Sequence, residues 1–444
     1  MQEPLLSMEK SQIVGDNPFD NDLLNRRDLA NKLTQYIERL KMGAVIAIDA
    51  PWGDGKTWFG KNWSEQLKID GYSVAYIDAF EQDYMDDPFM LLASELLDII
   101  QDKPQAKIRL TTKATNVVKA TASISAKVGM GLITKFALGG VDLGDEIEGA
   151  ISEASKETAN KSSKWIEEHF KKHSENKKSI SEFKEELEKY ATNQDKPIVI
   201  FVDELDRCKP DFAVSLVERI KHFFDVPNVI FVLLLNREQL EKAIKGVYGA
   251  ETDAFAYLGK FINFSFGLPK VNLIDTGRDY RIRQFISQTV KKYKFPQNRD
   301  FNSFIASLEF WVFIFDLSLR DIEKAIALYA FSGAYNVYYT DYLVYVILLK
   351  IKENDIFKRL SLSDIEAHKE MLKKLDNLIE KSNAQDRSFD GDMLTLYRDW
   401  HTAYINDDFT NSQSRISEMP KWFRRVTPKQ IFPFLAQKID LSID

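Results

Sequence analysis

An apolar run, Ala44-Val45-Ile46-Ala47-Ile48, leads into Ala50-Pro51-Trp52-Gly53-Asp54-Gly55-Lys56-Thr57, and a helix-compatible stretch from Trp58 to Leu67 follows. Strand, glycine-rich loop and helix in that order form the context a phosphate-binding loop requires. Gly53 and Gly55 let the backbone turn tightly, so that successive N–H groups face inward. The helix then presents its positive end to the same anion. Lys56 reaches the β- and γ-phosphates of a nucleoside triphosphate, and the Thr57 hydroxyl is a Mg2+ ligand. Pro51, Trp52, Asp54 and Trp58 complete the expected nucleotide-binding set. One position departs from G-x-x-x-x-G-K-[ST]: Ala50 stands where the first Gly belongs. A methyl is tolerated there only if the backbone stays in an ordinary region.

A second motif supports the first. Pro197-Ile198-Val199-Ile200-Phe201-Val202 reads as a strand buried on both faces of a parallel sheet. It ends in Asp203-Glu204-Leu205-Asp206-Arg207. An acid at the end of a buried strand is expensive without a partner, and Mg2+ is the natural one. Asp203 is therefore expected to hold the ion through water, and Glu204 to polarise the attacking water. Asn228 to Leu235 reads as a further buried strand, ending at Asn236-Arg237. Asn236 has two readings, a γ-phosphate contact or an ordinary helix N-cap. Ser73 to Ile77, ending at Asp78, fits beside these as a fourth strand.

Four segments resemble the KAP P-loop NTPases, a group near the STAND and AAA+ ATPases. They are the phosphate loop with its Trp52; Asp78-Ala79-Phe80-Glu81 with Asp86-Asp87-Pro88-Phe89; Phe201 to Cys208; and Tyr257-Leu258-Gly259-Lys260-Phe261 with Leu268-Pro269. The likeness covers roughly the first 330 residues, interrupted by an insertion. Phe80 and Asn236 depart from the family's usual Trp and Asp. The resemblance implies an α/β fold with a mostly parallel central sheet flanked by helices. On that basis residues 1–100 and 196–272 form the NTPase core and 101–195 a helical insertion. Residues 273–352 are expected to form a helical lid and 353–444 a helical C-terminal region.

The resemblance also implies ATP and Mg2+ as cofactors and hydrolysis as the reaction, with GTP left open. Arg320, after the capping Ser318, resembles the second sensor of AAA+ and STAND proteins. Arg207 is either an arginine finger across a homo-oligomer interface or a structural tie to Asp203 or Asp206. The segment from Asp16 to Asp28 is expected to wrap the adenine, through Phe19 or its apolar neighbours. Bacterial relatives are associated with phage exclusion and multi-gene defence systems, which implies protein partners from such a system. A nucleotide-stabilised scaffold without turnover is the competing reading, fed by Ala50 and Asn236.

Composition sets outer bounds. The 444 residues carry a formal net charge of −7 and are 44% hydrophobic, so a sizeable core is available and global charge does not favour nucleic acid. Cys208 is the single cysteine, and no basic-then-apolar leader opens the chain, which points to a reducing cytoplasm.

Many relatives carry membrane spans between the two motifs. Here the most apolar part of that interval, Val128 to Val141, is interrupted by Lys135 and is short of the about 20 residues a span needs. Lys113, Lys119, Lys127 and Lys135 do not share one helical face. A soluble insertion is expected, with a membrane-surface helix as the alternative. Ser162 to Tyr190 reads as a solvated helical pair. Helical spacing recurs over Leu29–Leu40, Tyr280–Tyr293 and Asn302–Trp311. Further on, Met393, Leu394, Leu396, Tyr397 and Trp400 make one aromatic-apolar island, and Trp422, Phe423, Arg424 and Arg425 another. Basic residues beside aromatics leave nucleic-acid contact as an alternative to simple packing. His169 and His173 lack the further ligands a metal site needs.

Overall fold

Strand residues that read as unbroken apolar runs alternate between two cores. On β3 (Ile198–Asp203), Ile198, Ile200 and Val202 face one core, while Val199 and Phe201 face the other. A strand covered on both faces needs apolar side chains at every position. In this computed structural model the described residues are 17–121 except 21, 41, 86, 101 and 102; 163–269 except 224; 280–332 except 294 and 296–298; 340–384; 388–407; and 428–440.

The chain divides into two compact units, one spanning Gln12–Pro269 and the other built on Lys270–Asp444. In the first, α1 (Arg26–Arg39), β1 (Ala44–Asp49), α2 (Lys56–Ile69) and β2 (Ser73–Asp78) come first. Next are α3 (Pro88–Ile99), α4 (Pro104–Thr121), α5 (Ser163–Thr192) and β3. Then follow α6 (Pro210–Ile220), β4 (Val229–Leu235), α7 (Arg237–Tyr248), α8 (Ala254–Leu258) and β5 (Phe264–Gly267). The strands form one sheet in the order β2-β3-β4-β1-β5, and every pairing is parallel. Helices α1 and α2 supply one face, through Leu33, Ile37, Phe59 and Trp63; α3, α5 and α6 supply the other, through Phe89, Phe183 and Leu216.

The structure adjusts several expectations. The helix after the glycine loop begins at Lys56, two residues before Trp58. Strand β5 is a short edge strand with exposed side chains, so no apolar run announced it. The expected helical pair over Ser162 to Tyr190 is instead one 30-residue helix, α5, whose Phe183 and Leu187 are fully buried. It is joined to α4 by Arg109–Glu186 and Lys113–Glu182 ion pairs. The Val128–Val141 segment, the side chains of Lys119, Lys127, Lys135, His169 and His173, and Trp422 to Arg425 lie outside the described residues. Among the described residues no helix is long and apolar enough to cross a membrane.

The second unit is helical throughout its described residues: α9 (Tyr280–Lys291), α10 (Arg299–Ile314), α11 (Leu319–Phe331), α12 (Thr340–Lys352), α13 (Asn354–Ser361), α14 (Ile365–Ala384), α15 (Ser388–Asn406) and α16 (Pro428–Gln437). Helix α12 is apolar all round, and Tyr342 to Leu349 are all buried, so it is the axis of this unit. Leu394, Tyr397 and Trp400 of the first aromatic island pack into the same core. Inside it, the Tyr345 hydroxyl bonds His401 Nε2 at 3.0 Å, and His401 Nδ1 meets His368 Nδ1 at 2.7 Å. Burial holds His368 down to about 3 and His401 well below its usual value.

Two predictions follow from this packing. A Cβ on Gly60 would lie 2.1 Å from Leu234 Cδ1 and 3.2 Å from the Tyr76 hydroxyl. Gly60→Ala should therefore destabilise the first unit by about 1–3 kcal/mol despite the better helix propensity of Ala, measured by denaturant unfolding. Unchanged stability would contradict this close helix–sheet approach. The histidine pair carries its own sign. Histidine titrates near 6.5 in the unfolded chain, so below that pH the unfolded state binds more protons. Stability then falls as pH drops from about 6.5 toward the folded values. Acidification to about pH 5 should lower the melting temperature less in His368→Gln/His401→Gln than in the wild type, and equal slopes would refute the point.

Candidate nucleotide-binding site

The parallel register sets the site. Asp78 pairs with Asp203, Asp203 with Leu234, and Leu235 with Asp49, so the strand ends share one edge of the sheet. Ligands in open parallel sheets bind beyond that carboxyl edge. β4 lies between β1 and β3, so the glycine loop and the acidic strand end flank a common cleft.

The loop has the conformation its glycines allow. Gly53 (φ 90°) and Gly55 (φ 81°) occupy the left-handed region, where a Cβ is strained. Ala50 is buried and is not among the positive-φ residues, so the methyl in place of the usual glycine is accommodated. Its N–H donates to the Leu235 carbonyl at 3.2 Å, fixing the loop to β4. Gly55 at the N-cap of α2 offers no side-chain cap, which leaves the first helical N–H groups for an anion. Lys56 is buried, and its Nζ donates to the carbonyls of Ala50 (2.7 Å) and Pro51 (3.2 Å). Burial lowers the Lys56 pKa, while Asp206, Asp203, Asp54 and Asp49 pull it back up.

The acidic strand end lies against the loop. Asp203 is 1% exposed. Its Oδ2 accepts from the Tyr76 hydroxyl at 2.7 Å, and its Oδ1 from the Glu204 N–H at 2.8 Å. Burial raises the Asp203 pKa, opposed by hydrogen bonds from Tyr76, Thr57 and the Glu204 backbone. Glu204 sits at φ 59°, a left-handed conformation rare outside Gly and Asn, and this turns its side chain off the strand. The Thr57 hydroxyl approaches Glu204 Oε1 at 3.4 Å. Burial raises the Glu204 pKa as well, with Arg207 lowering it. Trp52, half exposed, donates from its indole N–H to Asp206 Oδ2, a second link between loop and strand end. Asp206 Oδ1 is buried and accepts no hydrogen bond.

The donors suit Mg2+: a hydroxyl from Thr57 and a carboxylate from Asp203 are hard oxygens beside a phosphate cradle. Among the described residues no group of three or more His, Cys, Asp or Glu could hold a metal unaided.

Other expected residues fall as follows. Arg207 ties neither Asp203 nor Asp206; its guanidinium pairs with Glu204 at 2.6 Å. Asn236 acts as an N-cap, accepting from the Gln239 N–H at 3.3 Å, and the Asp49 carboxylate accepts from the Arg237 N–H at 2.9 Å. Trp58 is half-buried and holds the Phe19 ring edge-on at 5.6 Å. Phe19 is itself buried, so its ring serves as an anchor for the N-terminal segment. Arg320 is exposed in the first turn of α11, behind a Ser318–Asp321 capping box, in the helical unit. Sequence reasoning missed Tyr76, whose hydroxyl reaches Asp203 from the neighbouring strand, and Arg26, whose guanidinium meets the loop. Both partners are distant in sequence, and no local spacing marks either residue.

Comparisons place this geometry in context. A stretch of 106 residues (24% of this chain and 14% of the relative) is 24% identical to the phage T7 exclusion protein of Escherichia coli (strain K12). Another of 113 residues (26% of this chain and 51% of the relative) is 31% identical to an uncharacterized protein of Methanocaldococcus jannaschii. The chain thus spans about half or less of the curated relatives it matches. Among solved structures, the Aeropyrum pernix ORC2 protein (ADPNP-ADP complexes) overlaps 81% of this chain and 76% of its own, at 13% identity and a TM-score of 0.34. That overlap is too loose to speak to topology or function. Residues 26–332, most of the chain, match the KAP family P-loop domain, and the protein belongs to that family.

Proposed function

We propose that the protein binds ATP with Mg2+ and hydrolyses it, and that turnover drives a conformational switch. One observation carries this reading: Thr57 and Glu204, 147 positions apart, meet at 3.4 Å beside the buried Asp203. The backbone amides from Gly53 to Thr57, with Lys56, hold the phosphates, and Lys56 leaves the Ala50 and Pro51 carbonyls to do so. Thr57 and Asp203 would hold Mg2+, which when bound would supply positive charge to the phosphates. Glu204 orients the attacking water and takes its proton as the bond to the leaving ADP breaks. Arg320 on the lid, residues 273–352, is proposed to report the γ-phosphate, with 353–444 as a helical C-terminal region. Arg207 in trans would require a homo-oligomer. The name of the Escherichia coli relative supports a part in excluding phage, and partners from a defence system belong to the same proposal.

A second reading has its own observation. The Glu204 carboxylate is paired with Arg207 at 2.6 Å, and a carboxylate held in that pair is a weaker base for an attacking water. Binding and multiple-turnover assays on the full chain separate the two. Lys56→Ala should weaken ATP binding at least about tenfold. Glu204→Gln should bind ATP yet lose about 10²-fold or more of the turnover, and chelating Mg2+ should abolish it. Binding without turnover in the wild type would favour the scaffold; no binding at all would sink both.

A further inference from the structure

Arg26 opens α1 and is 3% exposed. A buried charge is expensive unless hydrogen-bonded. Its Nη2 donates to the Asp54 carbonyl at 2.6 Å and its Nη1 to the Gly55 carbonyl at 3.3 Å. Burial brings its pKa down to about 10, so it remains charged at neutral pH. The preceding chain is built to deliver it there. The Phe19 N–H donates to Asn62 Oδ1 at 2.8 Å, seating the segment on α2. Arg27 Nη2 donates to the Pro18 carbonyl at 3.0 Å, closing the segment on itself. Asn25, left-handed at φ 53°, then turns the backbone into α1.

The consequence follows from peptide planarity. The C=O and N–H of a trans peptide point in opposite directions. Holding the Asp54 carbonyl on the Arg26 side commits the Gly55 N–H to the other side; the Gly55 carbonyl already accepts the helical Phe59 N–H at 3.0 Å, which sets the Lys56 N–H, and Arg26 adds a second donor there. We infer that Arg26 is a positioning residue of the phosphate loop: it fixes the Gly55 N–H toward the anion before nucleotide arrives, reinforces the Lys56 N–H set by the helix, and places a buried positive charge behind them. This rests on the nucleotide-binding reading above, but it also makes a claim about the loop alone. Phosphate affinity becomes a property of the N-terminal segment as well as of the glycine motif.

The test uses the full chain with Arg26→Lys and Arg26→Gln. The first readout is hydrogen exchange of backbone amides in peptides covering residues 50–58, without nucleotide. The second is ATP affinity together with kcat and KM. The loop's bonded amides, Ala50 on the Leu235 carbonyl and Asp54 on the Pro51 carbonyl, should exchange about tenfold faster in Arg26→Gln, with β1 and the interior of α2 unchanged. ATP affinity should fall about tenfold, while kcat at saturation stays within about threefold. Arg26→Lys, which keeps the charge and loses the planar fork, should fall between; it also carries the test if Arg26→Gln does not fold. Wild-type exchange with wild-type affinity would overturn the inference. So would loss of protection across the whole unit, which would mark a purely structural residue. If the wild type binds no ATP, the proposed function fails, and loop exchange still decides the role of Arg26.

Discussion

Parallel pairing of β1, β4 and β3 is the constraint on which the rest of the site depends. A parallel ladder fixes which residues end together, and here it brings Asp49, Leu235 and Asp203 to one edge. The candidate site hangs from that edge: the glycine loop after β1, the Asp203-Glu204 pair on β3, and Tyr76 from β2. A one-residue slip would turn Asp203 away from its partners and point an apolar residue at the cleft. The doubly buried faces of β3 and β4 hold the register, since every strand side chain there has a core to enter.

The cleft concentrates charge. Lys56, Asp203 and Arg26 are all buried, and each is matched by hydrogen bonds from within the same unit. The two basic groups are held on the loop's own carbonyls, and the acids by Tyr76, Thr57 and Arg207. Burial pushes Lys56 down and both Asp203 and Glu204 up, so each charged form costs more than in water. The proposed triphosphate with its metal would supply charges of both signs where those forms gain most. The glycine motif is therefore one layer of a built site, and Arg26 and Tyr76 form a second.

The helical unit obeys a different logic. Its axis, α12, is buried on every side, and its interior admits a Tyr345–His401–His368 chain of polar rings. Such a network specifies one packing arrangement only while both imidazoles stay neutral. Its stability is thus tied to the protonation of that histidine pair.

The sequence alone determined β1 to β4, the phosphate loop and the acidic strand end. The reason is that doubly buried strands and tight glycine turns are local requirements written in consecutive residues. Ser318 as a helix cap was legible for the same reason, because a capping interaction spans three positions. Tertiary structure decided what local pattern cannot carry. It showed that Ala50 keeps an ordinary backbone and that Arg207 pairs with Glu204 in place of Asp203 or Asp206. It also used Asn236 and Phe19 for capping and anchoring, and delivered Tyr76 and Arg26 to the site. Those outcomes depend on which side chain lies within about 3 Å after the sheet has closed, and neither residue type nor spacing along the chain encodes that distance.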